Sequence, residues 1–334
     1  MRPSFATWRA GGYANSAIPR PADPSRLQKL AGRTMGTTWS LVFDNPSMRP
    51  HEAVLAAIKH ALDTVVDQMS TWETASDISR YNQAPAGSRH LLADDFARVL
   101  GCALEWAKAS GGAVDPTVGP LVALWGFGAH ANATIAEPTA AAVADAKSRT
   151  GWERLGFDLG TQTITQPGGL SLDLSGVAKG FAVDKVAEAL LALGLGDFLV
   201  EIGGELRGVG IRPGGQAWRV RIDVAEDALP PVALKGMAIA TSGDRWHVHE
   251  QGGRRWSHTI DPRSGEPLSA TLASVTVLHA QCMHADALAT ALLVLGASEG
   301  PAFAERHRIA AAFVRRNGDV QQVLATEAWR AFSA

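Results

Sequence analysis

The chain is short of several things, and each shortage removes a class of protein. Only two of its 334 residues are cysteines. Cys102 and Cys282 lie far apart among apolar neighbours, so they read as small buried hydrophobes and not as a disulfide framework. An excess of one charge is missing too: 31 basic residues face 33 acidic ones, for a formal net charge of -2. That balance leaves no electrostatic footprint for nucleic acid or an anionic membrane surface. The longest largely apolar run, Ala287 to Ala297, falls well short of the roughly 20 residues that span a bilayer. It reads as a buried helix, with no membrane insertion. The N-terminal stretch carries Arg2, Arg9, Arg20 and Arg26 but no continuous apolar segment of signal-peptide type and no lipid-acceptor cysteine. Residues 1–30 are therefore expected to form a disordered leader, residues 31–330 a folded domain, and the protein to be cytoplasmic, or periplasmic if the start codon is misplaced.

What is present suits a large core: 46% of residues are hydrophobic and 19% charged. Ordered structure is expected from about Arg33, with Thr37 to Phe43 a strand rich in β-branched and aromatic residues. Val54, Leu55, Ile58, Leu62, Val65, Val66 and Met69 recur at three and four residues and predict a helix over 52–69. Phe96 to Trp106 predict another, stopped by Gly111-Gly112, and Thr139 to Lys147 a short one behind Pro138. Short runs at 170–174, 198–202, 218–223, 237–240 and 273–278 predict strands, and 177–193 and 285–295 helices. His247 and His249 alternate on a hairpin-like strand, which puts them on an exposed face. Hairpin-like strands beside separate helices favour an α+β fold over a doubly wound one.

The chemistry sits at glycine-bounded corners. Ser171 to Asp184 reads as a strand, a turn and a helix N-terminus, where unpaired backbone N–H groups and Lys179 together suit a phosphate. A plain strand-turn-helix with an exposed lysine stays open beside that reading, as does Asp173 as a mere turn former. Asp286 and Thr290 are four apart and share a helix face. A carboxylate and a hydroxyl so placed supply hard oxygen ligands to Mg²⁺, while helix capping and a satisfied core threonine remain the bland alternative. His279, Cys282 and His284 raise the possibility of a soft-metal site, without an obvious fourth ligand. His258 stands beside a turn in Trp256 to Gly265 and suits proton transfer or phosphate contact, with a structural histidine open beside that reading.

Further pieces run in order along the chain: Arg33-Thr-Met-Gly-Thr-Thr-Trp39, Met69-Ser-Thr-Trp-Glu73, Ile78-Ser-Arg-Tyr-Asn82, Val114-Asp-Pro-Thr-Val-Gly-Pro-Leu121 and Trp125-Gly-Phe-Gly128. Leu172-Asp-Leu-Ser-Gly-Val-Ala-Lys-Gly180, Val200-Glu-Ile-Gly-Gly-Glu205, Ala240-Thr-Ser-Gly243, Ser257-His-Thr-Ile-Asp-Pro262 and Ala285-Asp-Ala-Leu-Ala-Thr290 follow. Together they make a resemblance to one family, the ApbE family of FAD:protein FMN transferases. It implies an α+β, T-fold-related architecture of mixed sheets with packed helices and an FAD site in a cleft between them.

The resemblance further implies that Met35, Trp72, Ala113, Val114, Asp115, Asp173, Lys179 and Ile260 line the FAD site. It places Mg²⁺ on the Gly176 carbonyl, Asp286 and Thr290, with the backbone near Ala289. The implied reaction moves FMN from FAD onto a threonine or serine of an acceptor protein and releases AMP, with Lys179, His258 and Asp286 as catalytic residues. The same site would hydrolyse FAD to FMN and AMP if water replaced the hydroxyl. A dedicated FAD pyrophosphatase and a non-catalytic FAD-binding protein are the rival readings. Trp72 departs from the family, which more often has tyrosine there, and the usual lipoprotein-type leader is missing.

Overall fold

Eight strands form one sheet in which spatial order repeats chain order. They are β1 (Leu27–Thr34), β2 (Thr37–Asp44), β3 (Phe198–Ile202), β4 (Glu205–Val209), β5 (Ala238–Gly243), β6 (Leu272–His279), β7 (Ala310–Asn317) and β8 (Val320–Ala325). Every neighbouring pair is antiparallel. The computed structural model describes residues 26–131, 137–222, 229–243, 248–251, 254–268, 272–317 and 320–333. Antiparallel neighbours need only a short return, and β1 and β2 use the shortest. Thr34 pairs with Thr37 across Met35-Gly36, both at positive φ (44° and 71°), as a two-residue type I′ turn requires.

The longer connections carry helices. Between β2 and β3 lie α1 (His51–Met69), α2 (Asp94–Ala109) and α3 (Ala178–Ala192), and between β6 and β7 lies α4 (Cys282–Arg306). The expected α+β character holds. α1 buries Val54, Ile58, Leu62, Val65 and Met69, the spacing of one apolar face. Strand alternation then divides the core between the two sheet faces: Ala238 joins the cluster under α1 and α3, and Ala240 the one under α4, while Ile239 turns to Trp218, Leu234 and Trp329 on the other side. α4 is long and apolar enough to cross a membrane by length and composition. Here it lies inside the protein, with Ala285, Leu288, Ala289 and Leu292 all at most 1% exposed. Its expected end near Leu295 coincides with a real break, because Gly296 takes φ 76° and ψ -171° inside the helix.

Several expectations need correction. The ordered chain begins before Arg33, since Leu27–Thr34 is a full strand paired along β2, so the boundary at residue 30 is displaced; residues 1–25 lie outside the described residues. Leu170 to Leu174 is not a strand. Its leucines are buried, but the backbone is extended with a single bridge, Ser171 to Val118. The Asn82 side chain acts as its partner, accepting from Leu172 N (2.7 Å) and donating to Leu172 O (2.9 Å). His249 does not stand on an exposed face: it stacks on Phe127 with ring centroids 4.3 Å apart and bonds to Gly126 O at 3.0 Å. His247 lies outside the described residues.

One residue joins three elements. Asp184, on α3 and 1% exposed, accepts from Cys282 N and Met283 N at 3.0 Å each and from Arg207 of β4 at 2.6 Å. The first N–H groups of a helix lack intrahelical partners, and Gln281 at the N-cap supplies no side-chain cap to α4. A buried aspartate from another helix therefore does that work. Asp184→Asn should cost about 2 kcal/mol, since bonds to a charged acceptor are the stronger kind. Thermal denaturation followed by circular dichroism should show a Tm lower by roughly 5 °C; an unchanged Tm would dismiss the capping role.

Candidate active site

The N-terminal turns of α3 and α4 face each other, and their approach is close because the sequence puts a glycine at the crossing. A Cβ added at Gly180 would lie 2.4 Å from Cys282 O and 2.8 Å from Asp286 Cβ, so no larger residue fits there without backbone movement. That approach brings Gly180 N to Asp286 Oδ2 at 2.9 Å. One turn along each element, Gly176 meets Thr290, with a Cβ added at Gly176 only 3.2 Å from Thr290 Oγ1. Thr290 Oγ1 also bonds to Ser242 Oγ of β5 at 3.1 Å. Ser242 is a neighbour of the corner that the sequence showed only as part of the Ala240-Thr-Ser-Gly243 motif.

Charge is concentrated in the same corner. Lys179 makes an ion pair with Glu205, the first residue of β4. Glu205 and Asp286 are 2% exposed each, and the Lys179 side chain is 34% exposed. Burial works to lower the Lys179 pKa, but the carboxylates of Glu205 and Asp286 outweigh it and hold the group above its ordinary value. Burial pushes the Glu205 carboxyl up to about 7, against the pull of Lys179 and with help from Asp286. Asp286 is raised too, first by burial, with Lys179 and the Gly180 N–H opposing. Two buried carboxylates share one ammonium, and Glu205 Oε2 is buried with no hydrogen-bond partner. The corner is thus short of positive charge, and its hard oxygen donors, the Asp286 carboxylate and the Thr290 hydroxyl against which Gly176 packs, suit a small divalent cation. Ala289, fully buried, lies between the two α4 donors.

Glu205 was not singled out as a site residue in the sequence, although it closes one of the quoted motifs. The signal available was a charged residue opening an apolar strand, Glu205-Leu206 in β4, where burial without a partner would be costly.

Of the other expected residues, those of the 171–173 segment lead directly into the turn before α3. Asp173 N bonds to Pro116 O at 2.8 Å, so residues 113–118 run beside 171–173. The Asp173 side chain accepts from Ser175 N at 2.8 Å and shapes the turn into α3. Asp115, 6% exposed, takes Thr117 N (2.7 Å), Thr117 Oγ1 (2.6 Å) and Trp152 N (3.1 Å). Burial raises its pKa while those bonds oppose; the carboxylate braces the loop. Ala113 and Val114 are buried, so they offer a ligand mainly backbone. Ile260 packs with Leu121, Trp125 and Trp256, and His258, half-buried, meets Phe127 edge-to-face at 6.3 Å. Met35 is half-buried at the β1–β2 turn and Trp72 is 71% exposed after α1. Among the described residues no hydrogen bond ties either of these two to the corner.

The soft-metal possibility fails. His284 Nδ1 accepts from Trp106 Nε1 at 2.9 Å, and the Cys282 thiol points to Leu206 O and Ile239 O. Burial raises the Cys282 pKa well above its ordinary value. Among the described residues no group of three or more His, Cys, Asp or Glu is placed to hold a metal.

A family model described as the ApbE family matches residues 35–313. The chain is 37% identical over 314 residues to the FAD:protein FMN transferase of Vibrio cholerae, covering 92% of this chain and 93% of that one. It is 36% identical over 307 residues to the Haemophilus influenzae FAD:protein FMN transferase, covering 87% of each. Among solved structures, the apo form of Pseudomonas stutzeri flavinyl transferase ApbE superposes with a TM-score of 0.84 at 36% identity, covering 92% of this chain and 96% of that one.

Proposed function

Because the chain belongs to the ApbE family and is a flavin transferase, we propose that it attaches FMN to a threonine or serine of an acceptor protein, using FAD as donor, Mg²⁺ as cofactor and releasing AMP. The observation that supports this reading is the corner itself: Asp286 closes on the N-terminal turn of α3 at Gly180, Thr290 lies against Gly176, and Lys179 stands on the same turn. Buried carboxylates short of positive charge are costly to a fold, and pure flavin binding does not require them.

In the proposed reaction the acceptor hydroxyl oxygen bonds to the FMN-side phosphorus of FAD. The bond from that phosphorus to the bridging oxygen breaks, and AMP leaves with the bridging oxygen. Asp286, Thr290 and the Gly176 carbonyl, with the backbone near Ala289, would hold Mg²⁺, which when bound supplies Lewis-acid stabilisation of phosphate oxygens. Lys179 faces the charge that develops on the pyrophosphate, where a fixed cation contributes most. His258 takes the hydroxyl proton or contacts the phosphate. Met35, Trp72, the 113–115 backbone, Asp173 and Ile260 form the flavin and adenosine walls.

Incubation of the purified protein with FAD and Mg²⁺, with and without a threonine-bearing flavoprotein domain, followed by mass spectrometry, tests the reading. Covalent FMN on the acceptor with free AMP is the expected result. FMN and AMP without an adduct would make the protein a pyrophosphatase, and intact FAD would leave a binding protein.

The walls can be tested apart from the chemistry. Trp72 is exposed, so Trp72→Ala should not change Tm, yet loss of a stacking surface worth about 1–3 kcal/mol should raise KM for FAD about tenfold with kcat nearly constant. A fall in kcat at unchanged KM would place Trp72 elsewhere in the cycle.

A further inference from the structure

The buried acid that the reaction scheme leaves unassigned is Glu205. It pairs with Lys179 through Oε1, and its Oε2 has no partner. It sits on β4, whereas Lys179 and Asp286 come from α3 and α4. Lys179 feels both carboxylates, Glu205 by contact and Asp286 through space. A lysine ammonium is a compact charge on a flexible stem, so its position is set by which carboxylate holds it.

Building on the metal reading of Asp286 above, we propose that Glu205 is a positioning residue of the transfer reaction: it draws the Lys179 ammonium toward β4 and so keeps Asp286 open to a divalent cation. Three observations support it. The ion pair is the only hydrogen bond of the Lys179 side chain among the described residues. Asp286 Oδ2 is occupied by the Gly180 N–H, a neutral donor, and Lys179 acts on Asp286 only through space. The backbone of Glu205 is fixed opposite Ile202 across β3, so the anchor does not follow the ligand it protects. Without Glu205, the nearest buried counter-charge for Lys179 is Asp286, and an ammonium seated there would compete with the cation.

Direct and mediated effects can be separated, because a charge acting through space on a metal site does so whatever residue stands at 179, while a charge acting through Lys179 cannot act without it. The test is a double-mutant cycle read by calorimetric titration of the full-length protein with Mg²⁺ alone, and by the Mg²⁺ concentration giving half-maximal FMN transfer. Glu205→Gln keeps the shape and one acceptor. It should weaken Mg²⁺ binding about tenfold. In the Lys179→Met background the same Glu205→Gln change should leave Mg²⁺ affinity within about twofold. The double variant removes both charges of the pair and is expected to stay folded, since a buried ion pair can be exchanged for neutral residues with little loss while removal of one partner is costly; circular dichroism checks this. If the single variant does not fold, Glu205→Asp, which keeps the charge on a shorter stem, replaces it in the cycle and should weaken Mg²⁺ binding only in the presence of Lys179. An equal weakening in both backgrounds, or a loss appearing only in the Lys179→Met background, overturns the proposal. Wild-type protein that neither binds Mg²⁺ nor transfers FMN overturns the functional reading first, and this inference with it.

Discussion

Asp286→Asn should fold at least as well as the wild type and lose Mg²⁺-dependent turnover by at least about a hundredfold. The activity loss follows from the ligand role. Disturbing residues that only orient metal ligands already costs about 10- to 100-fold, so removing the ligand's charge should cost no less. The stability half is the sharper one. Burial raises the Asp286 pKa, so the native state holds that proton more tightly than the unfolded chain does. Ionisation of Asp286 therefore takes stability away as the pH rises toward neutrality. Asparagine keeps an acceptor for Gly180 N and leaves Lys179 its contact with Glu205. Activity and Tm measured on the same sample are expected to move apart, as for a residue retained for function at the expense of the fold. A variant that loses both together, or that keeps its turnover, would return Asp286 to a purely structural role.

Gly180→Ala should have the largest effect on the fold. The added carbon would meet Cys282 O at 2.4 Å, Cys282 C at 2.7 Å and Asp286 Cβ at 2.8 Å. Two of these are backbone atoms of a helix whose start is held by Asp184, so they cannot simply turn away. Overpacking of this kind costs about 3 kcal/mol, seen as a Tm lower by roughly 10 °C. Because the strain falls between the segments bearing Lys179 and Asp286, Mg²⁺ dependence should worsen as well. A Tm within a degree of the wild type would show that the two helices have slack at their crossing.

Periodicity revealed the elements whose pattern has one cause. The α1 face, and the β2 run from Thr37, are buried by the same contacts that hold them in place. It failed where burial and backbone pairing separate. Leu170, Leu172 and Leu174 alternate because the core takes them, while the ladder that alternation implies is replaced by one asparagine side chain. β1 has the opposite character. It is an edge strand, with Lys29, Arg33 and Gly32 in a weak pattern, and its evidence is the register on β2. β7, opening on three alanines, had little β propensity to show. That Asp286 and Thr290 share one helix face was legible, because helical geometry alone puts residues four apart together. Glu205 was harder to find, since its partner is 26 residues away and its only local signal is its place at the head of a buried strand.

The sheet also has a seam. β4 and β5 share only two registered pairs, Arg207 with Ala238 and Leu206 with Ile239, against five to eight at the other junctions. That junction is continued by Gly208 N to Met237 O and Gly236 N to Gly208 O and backed by α3 against α4, and it divides the sheet into two leaves, β1–β4 and β5–β8. The corner is built across it, with Gly176, Lys179 and Glu205 from one leaf and Ser242, Asp286 and Thr290 from the other. Any cation or nucleotide seated there grips both leaves at once and acts as a clasp. Its binding free energy adds to whatever opposes their separation, in proportion to the logarithm of its concentration. On the proposed reading Mg²⁺ and FAD would be such a clasp, and survival of the enzyme would follow their supply.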